Sequence, residues 1–357
     1  MRLNWIGSYM QGQGYSGSAE NLLISLSKLG VDVSTLTFKN NKKNLTKAGK
    51  EVSSSVFRMA DVGIAYGFPN SFSSLTSHKY KVGWTMFETT KCPSGKSSWA
   101  GPTGNWVDQT KNLDLLLSPS SYCKELFQKE GIKTPIEVVP LGVDTKMYPF
   151  IQRPRRPKVK KPFTFLMLGT LTLRKNPGYA LSAFLELFKN NEDARLILKT
   201  QDGTLGHLET PHKNLIIIDR RATLDKMRQL YADADCFVFP TRGEGFGLPP
   251  LEAMSTGLPT IFPNHSGMMD FANDKYGYII EKYKEKKAVR FPKIWNDVGN
   301  WFDPDYNELK ELMRYVYEHR DEAYDKGVRA SEWVKNNWTY DHSAKKLIEV
   351  LSRFERK

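Results

Sequence analysis

Thr241-Arg242-Gly243-Glu244-Gly245-Phe246-Gly247-Leu248-Pro249-Pro250-Leu251-Glu252-Ala253-Met254 decides the fold. The run before it, Cys236-Phe237-Val238-Phe239-Pro240, reads as a buried strand. The order is therefore strand, glycine turn, proline, helix. The glycines let backbone N–H groups approach a ligand, and a helix N-terminus favours anionic phosphate. Two carboxylates, Glu244 in the turn and Glu252 in the opening of the helix, can accept hydrogen bonds from sugar hydroxyls. A glutamate placed only to complement the helix dipole would account for Glu252 but not for the whole string.

Outward from this stretch the chain alternates strand and helix. On the C-terminal side of the middle, strands are predicted at 163–168, 195–199, 215–219, 236–239, 260–262 and 278–280, with helices near 177–189, 223–234, 250–256, 305–319 and 321–336. On the N-terminal side, strands are predicted at 2–8, 31–38, 61–66, 80–87, 113–118 and 136–140. Ala19, Leu22, Leu23, Leu26 and Leu29 mark the first helix by their spacing, and Gly30 ends it. Such alternation predicts two parallel, doubly wound sheets, with ligands at the carboxyl ends of their strands. A chain of 357 residues suits two domains. The expected limits are 1–152 and 162–337 for the two domains. The proline-rich basic run 153–161 reads as a hinge between them.

The central stretch resembles the Glu-x7-Glu signature of the family 4 (group 1) glycosyltransferases of the GT-B fold. Its glycines, its proline, both glutamates and the trailing Ala-Met all fit. The resemblance places the donor sugar by Glu244 and the ribose by Glu252, with Gly245, Phe246, Gly247 and Leu248 lining the donor. It extends to Pro140-Leu141-Gly142-Val143-Asp144, similar to the segment that closes the family's N-terminal domain. Trp338-Thr339-Tyr340 is similar to the segment that crosses back onto it, so the resemblance makes 1–152, completed by a helix at 338–357, the acceptor domain and 162–337 the nucleotide-sugar-binding domain. It is weak over 39–112.

Other candidate residues follow from the same resemblance. Gly169 and Lys175 match a Gly-Arg-Leu-x-x-x-Lys pattern that serves the donor diphosphate. Thr170 stands where the family has its Arg, and Arg174 is the candidate replacement for that charge. Lys175 would stabilise the leaving diphosphate, an electrostatic effect of about 3–4 kcal/mol per key donor. Arg220 and Arg221 fall on a loop that lies against the nucleobase. Glu88 lies where many members keep a His, and reads either as a catalytic group orienting sugar or acceptor, or as a loop partner of Lys91. In Asn264-His265-Ser266-Gly267-Met268-Met269-Asp270 only Gly267 and Asp270 fit the family's loop, and His265 reads as a ligand or as a structural residue.

Gly12-Gln13-Gly14-Tyr15-Ser16-Gly17 has the form of a dinucleotide fingerprint. That fingerprint needs an acidic residue after the second strand, which here runs Leu36-Thr37-Phe38-Lys39. The resemblance instead implies a glycine turn here that faces the donor pyrophosphate, with Gly14 and Gly17 in close backbone approach, and a plain strand-to-helix turn is the alternative. The donor is expected to be a UDP or GDP sugar, and no metal is expected. Asp233-Ala234-Asp235 has the form of a metal-binding Asp-x-Asp but sits at a helix end before a core strand.

Lys and Arg total 52 against 39 acidic residues, a net +13. The excess clusters at Lys39–Lys50, Arg153–Lys161 and Lys282–Arg290, which points to an anionic partner. The first reading of the acceptor is a hydroxymethylated base in DNA, flipped out of the duplex. The alternative is a glycan or lipid-linked acceptor at an anionic membrane surface. A third reading is a nucleic-acid-binding protein that kept the fold without catalysis. Retention of anomeric configuration is implied by the resemblance. The three cysteines (Cys92, Cys123, Cys236) lack metal-like spacing, and the N-terminus reads as a strand and not as a secretory signal. A cytoplasmic location, with peripheral membrane association as the alternative, is the expectation.

Overall fold

The computed structural model describes residues 1–7, 14–36, 47–53, 57–93, 105–153, 161–200, 212–289 and 297–355. The chain forms two compact units. The first comprises Met1–Gly142, Ala288–Asn300 and Trp338–Lys357, and the second Val143–Lys287 and Trp301–Asn337.

The first unit holds β1 (Arg2–Ile6), β2 (Asp32–Leu36), β3 (Val62–Tyr66), β4 (Tyr80–Trp84), β5 (Leu115–Ser118) and β6 (Ile136–Val138). They form one parallel sheet in the order β2-β1-β3-β4-β5-β6. Helices α1 (Gly14–Lys28), α2 (Lys47–Ser53), α3 (Trp106–Thr110) and α4 (Ser121–Lys129) belong to it. These strands read as near-continuous apolar runs because helices cover both faces of a parallel sheet. Trp5, Tyr66 and Trp84 meet in the core with ring centroids 5.1–6.1 Å apart.

The second unit holds β7 (Phe163–Leu168), β8 (Ala194–Thr200), β9 (Leu215–Asp219), β10 (Cys236–Val238), β11 (Thr260–Pro263) and β12 (Tyr278–Ile280), again parallel, in the order β12-β11-β10-β7-β8-β9. Its helices are α5 (Pro177–Phe188), α6 (Leu224–Asp233), α7 (Leu248–Ser255), α8 (Tyr306–Glu318) and α9 (Arg320–Asn337). A two-stranded sheet of β13 (Tyr283–Lys287) and β14 (Asn300–Pro304) was not expected: the charged, exposed residues of β13 carry no apolar alternation. Helix α10 (Tyr340–Leu351) returns to the first unit and packs on α1. There Gly142 meets the start of α10, where a Cβ would lie 2.3 Å from the Thr339 carbonyl carbon. The two flanking sequence motifs thus touch, and only glycine allows it.

The second unit begins earlier than the expected 162. Ser255 Oγ donates to Tyr148 O at 2.6 Å, and Ile151 N to Thr256 O at 3.1 Å. Arg153, expected in a solvated basic hinge, is buried: its guanidinium donates to Ala234 O, Tyr231 O and Thr256 O. Residues 154–160, most of the basic run Lys39–Lys50, and Arg290 lie outside the described residues. No helix is long and apolar enough to cross a membrane among the described residues.

Candidate active site

In the second sheet β7 lies between β10 and β8, and the strand order reverses there. The loops leaving β7 and β10 therefore open at a topological switch point, the usual ligand crevice of such sheets. The first is 169–176 and leads to α5. The second is 239–247 and leads to α7. Neither helix has a side-chain N-cap, and both open on proline, Pro177 in α5 and Pro249-Pro250 in α7.

Glu244 joins the two loops. Its Oε1 accepts hydrogen bonds from Arg174 Nη1, Lys175 Nζ and Thr241 Oγ1, each at 2.8 Å. The side chain is only 10% exposed, and those of Arg174 and Lys175 are 15% and 12% exposed. Burial by itself would raise this carboxyl; the Arg174 and Lys175 charges outweigh it and hold it below its ordinary value, so it is ionised. Its backbone is fixed as well, since Glu244 N donates to Ser266 Oγ at 3.0 Å and Gly267 N to Glu244 O at 2.9 Å.

The loop 169–176 is wound tightly enough to aim two neighbouring cations at one oxygen. It ends on Asn176, a buried residue at φ 56°, and Pro177 then opens α5. Arg242 staples it from outside. Arg242 N donates to Arg174 O at 2.7 Å, and its guanidinium to Leu173 O and to Asp303 Oδ1 of β14. The guanidinium also lies over the Tyr179 ring, 5.2 Å from the centroid.

Glu252 stands apart from that cluster, on α7. Its Oε2 accepts the Tyr231 hydroxyl at 3.1 Å. Burial pushes this carboxyl up to about 7, against the opposing effects of the Tyr231 bond, the Lys175 charge and the Tyr148 hydroxyl. The two glutamates therefore face different environments, one ionised and one close to its titration point at neutral pH.

The remaining sequence candidates fall as follows. Gly247 caps α7 at φ 114° and Leu248 is its first residue. Gly245 lies against Gly267, whose Cβ, if present, would be 2.3 Å from Gly245 O. Phe246 turns its side chain into the core against Phe271, which leaves only its backbone for a ligand. Thr170 makes a turn in which its carbonyl accepts Thr172 N at 2.8 Å, and Arg174 rather than Thr170 brings the charge to Glu244. Arg220 and Arg221 are exposed after β9, and Arg220 O accepts Lys199 Nζ at 2.6 Å. Gly14 opens α1, and Gly17 is buried within it; the loop 8–13 before them lies outside the described residues.

Glu88 is half-buried on the first unit's loop after β4. The partner considered for it, Lys91, pairs with Asp297 at 3.0 Å instead. His265 is buried, with Nδ1 3.1 Å from Ser266 Oγ, and burial pushes it down to about 4. It is neutral and buried beside the Glu244 turn. Asp235 serves the fold, accepting Thr164 N at 2.9 Å. All three cysteines are buried and free.

Sequence reasoning missed Thr241, Ser266, Arg242 with Asp303, and the tyrosines around Glu252. Tyr231 sits at a helical core spacing and gave no separate signal. Ser266, at φ 52°, was a candidate for strain only once its backbone was seen.

Two parallel six-stranded sheets with this acidic–basic cluster at a switch point define a GT-B protein. The family model described as "Glycosyl transferases group 1" matches residues 150–291. That match covers about two fifths of the chain, almost all of it in the second unit, and the relatives that the chain resembles are glycosyltransferases. It is 25% identical over 302 residues to the GDP-mannose-dependent alpha-(1-6)-phosphatidylinositol monomannoside mannosyltransferase of Mycobacterium tuberculosis, covering 77% of this chain and 68% of that protein. It is 28% identical over 212 residues to the UDP-Gal:alpha-D-GlcNAc-diphosphoundecaprenol alpha-1,3-galactosyltransferase of Escherichia coli, covering 55% of this chain and 54% of that one. The crystal structure of Anabaena Alr3699/HepE in complex with UDP-glucose superposes with a TM-score of 0.69 at 14% identity, covering 99% of this chain and 100% of that one, a likeness of fold.

Proposed function

We propose that this glycosyltransferase moves a hexosyl group from a UDP or GDP sugar to a hydroxyl of a glycan or lipid-linked acceptor, with retention of anomeric configuration. The observation that carries the donor half is the convergence of Arg174 and Lys175 on Glu244 between two uncapped helix N-termini. A diphosphate needs fixed cations and the positive end of a helix, and this corner of the sheet offers two cations beside two helix N-termini.

In this reading Lys175 and Arg174 turn toward the diphosphate when the donor arrives, and Glu244 takes hydroxyls of the donor sugar. The bond from the anomeric carbon to the diphosphate oxygen breaks, and its electron pair stays on that oxygen. The acceptor oxygen bonds to the anomeric carbon on the same face. Its proton passes to the departing diphosphate, whose growing charge the two cations stabilise. Glu252 accepts the ribose hydroxyls. Glu88 is kept as a candidate for orienting the acceptor.

The acceptor half rests on the relatives, whose names give phosphatidylinositol and diphosphoundecaprenol saccharides as acceptors. The DNA reading rests on net charge, and most of two of the basic runs behind it lies outside the described residues. The deciding experiment offers UDP and GDP sugars with glycolipid, polyprenyl-diphosphate saccharide and hydroxymethylated duplex acceptors, read by mass spectrometry. A hexose gained by a glycan or lipid acceptor supports the proposal. A hexose gained only by DNA nucleosides overturns the acceptor assignment, and duplex binding without any transfer favours a binding protein.

A further inference from the structure

Two phenols from separate segments stand beside Glu252. Tyr231 projects from α6 and its hydroxyl lies 3.1 Å from Oε2. Tyr148 lies on the segment that enters the second unit, and its hydroxyl acts on the same carboxyl, favouring the ionised form. The two rings meet edge to face, with centroids 5.6 Å apart.

Both phenols are themselves pinned. Arg228 of α6 donates from Nε to Met147 O at 2.7 Å and from Nη2 to Lys146 O at 2.9 Å, which fixes the turn before Tyr148. Ser255 of α7 donates to Tyr148 O at 2.6 Å. The Tyr231 ring is wholly buried and packs against Phe237 of β10. Burial keeps both hydroxyls protonated, so each is a standing hydrogen-bond donor. The charged group facing Glu252 from the 169–176 loop is Lys175, while Asp144 and Arg228 face Tyr148. Helix α9 meets α7 through a neutral contact, Ser331 Oγ to Ser255 O at 2.6 Å.

We propose that Tyr148 and Tyr231 are positioning residues for the donor: they hold the Glu252 carboxyl for the ribose and set the pH range in which it accepts the two ribose hydroxyls. This rests on Glu252 being the ribose ligand. A diol donates two hydrogens and needs a carboxylate to receive both, so a protonated Glu252 binds it less well. Each phenol favours the ionised form by donating to it. Removing one hydroxyl therefore shifts donor binding to higher pH without altering the surfaces that hold the base or the diphosphate.

The test is titration calorimetry of intact UDP-glucose and GDP-mannose between pH 5.5 and 8.5, on the full chain without acceptor. In these diesters the diphosphate does not titrate in that range. The wild-type affinity rises with pH, by about tenfold per unit below the midpoint. Tyr148→Phe and Tyr231→Phe keep the high-pH affinity but move the midpoint upward by roughly half a unit or more. Midpoints in both variants that coincide with wild type overturn the proposal. Glu252→Gln binds weakly with a flat profile. Wild-type affinity in that variant instead removes Glu252 as the ribose ligand, a failure distinct from unmoved phenylalanine midpoints.

Discussion

The Lys175 ammonium ends 2.8 Å from Oε1 of Glu244, a residue 69 positions further along the chain. The Arg174 guanidinium reaches the same oxygen. Neither pairing is local, so the cluster exists only when β7 and β10 lie side by side. Glu244 balances the two cations where the loops meet.

Glu244→Gln keeps the shape and removes that balance. Breaking a buried ion pair from one side costs roughly 3–5 kcal/mol, because the uncompensated charges stay buried. Urea denaturation should show a loss of this order, and transfer should fall on the order of a hundredfold or more. Wild-type turnover in this variant would remove Glu244 from the donor site.

Lys175→Met tests transition-state charge stabilisation. The expected loss in kcat is on the order of 10²–10³. It should be accompanied by weaker inhibition by the nucleoside diphosphate product. A variant whose KM rises while kcat is unchanged would make Lys175 a ground-state binder only.

The two glutamates predict opposite pH effects on stability. Glu252 is raised to about 7 by burial, so the folded state keeps its proton to higher pH than the unfolded chain. The resulting stability is full below the unfolded value near 4.5 and is lost as pH rises through about 7. Glu252→Gln should therefore gain relative stability above neutrality, by about 3 kcal/mol at most, and little in acid. Glu244 is lowered, so its contribution is present above 4.5 and is lost as pH falls through its folded value. Denaturation of both Gln variants at pH 4, 6 and 8 checks the signs; the same offset at every pH would refute them.

Gly267→Ala should disable the site from a distance. The new Cβ would sit 2.3 Å from Gly245 O, a backbone atom with nowhere soft to yield. The 244–247 turn must move, at a cost of about 1–3 kcal/mol in stability. A larger proportional loss in donor affinity than in stability would show that the turn is the donor cradle. Unchanged donor binding would show that the turn is tolerant.

Arg242→Lys removes a planar group that bonds Asp303 and Leu173 O and stacks on Tyr179. Lysine retains the charge but cannot reproduce that geometry. The 171–175 loop should loosen, which would raise the donor KM severalfold, while circular dichroism stays unchanged. Wild-type KM would make the staple dispensable.

Both sheets were legible because parallel strands buried on two faces announce themselves as short apolar runs between amphipathic helices. Cys236–Val238 and Phe163–Leu168 are of this kind. The glycine turn was legible because backbone approach admits few residue types, as Gly247 at φ 114° shows. The pair β13 and β14 was not, because an exposed strand of alternating charges has no buried face to mark its period. Arg153 was misplaced as a hinge residue: composition shows a basic run but not which guanidinium finds three carbonyls.

By itself the sequence determined the two doubly wound sheets, the helix that follows the glycine turn, and the residue types available to hold a sugar nucleotide. These follow from local periodicity and from steric limits on a few backbone positions. The tertiary structure alone decided that Arg174 reaches Glu244, that this carboxylate is ionised among cations, and that burial raises the other toward neutrality against the pull of two phenols. Those are consequences of distance and burial between segments far apart in the chain, which no local pattern encodes.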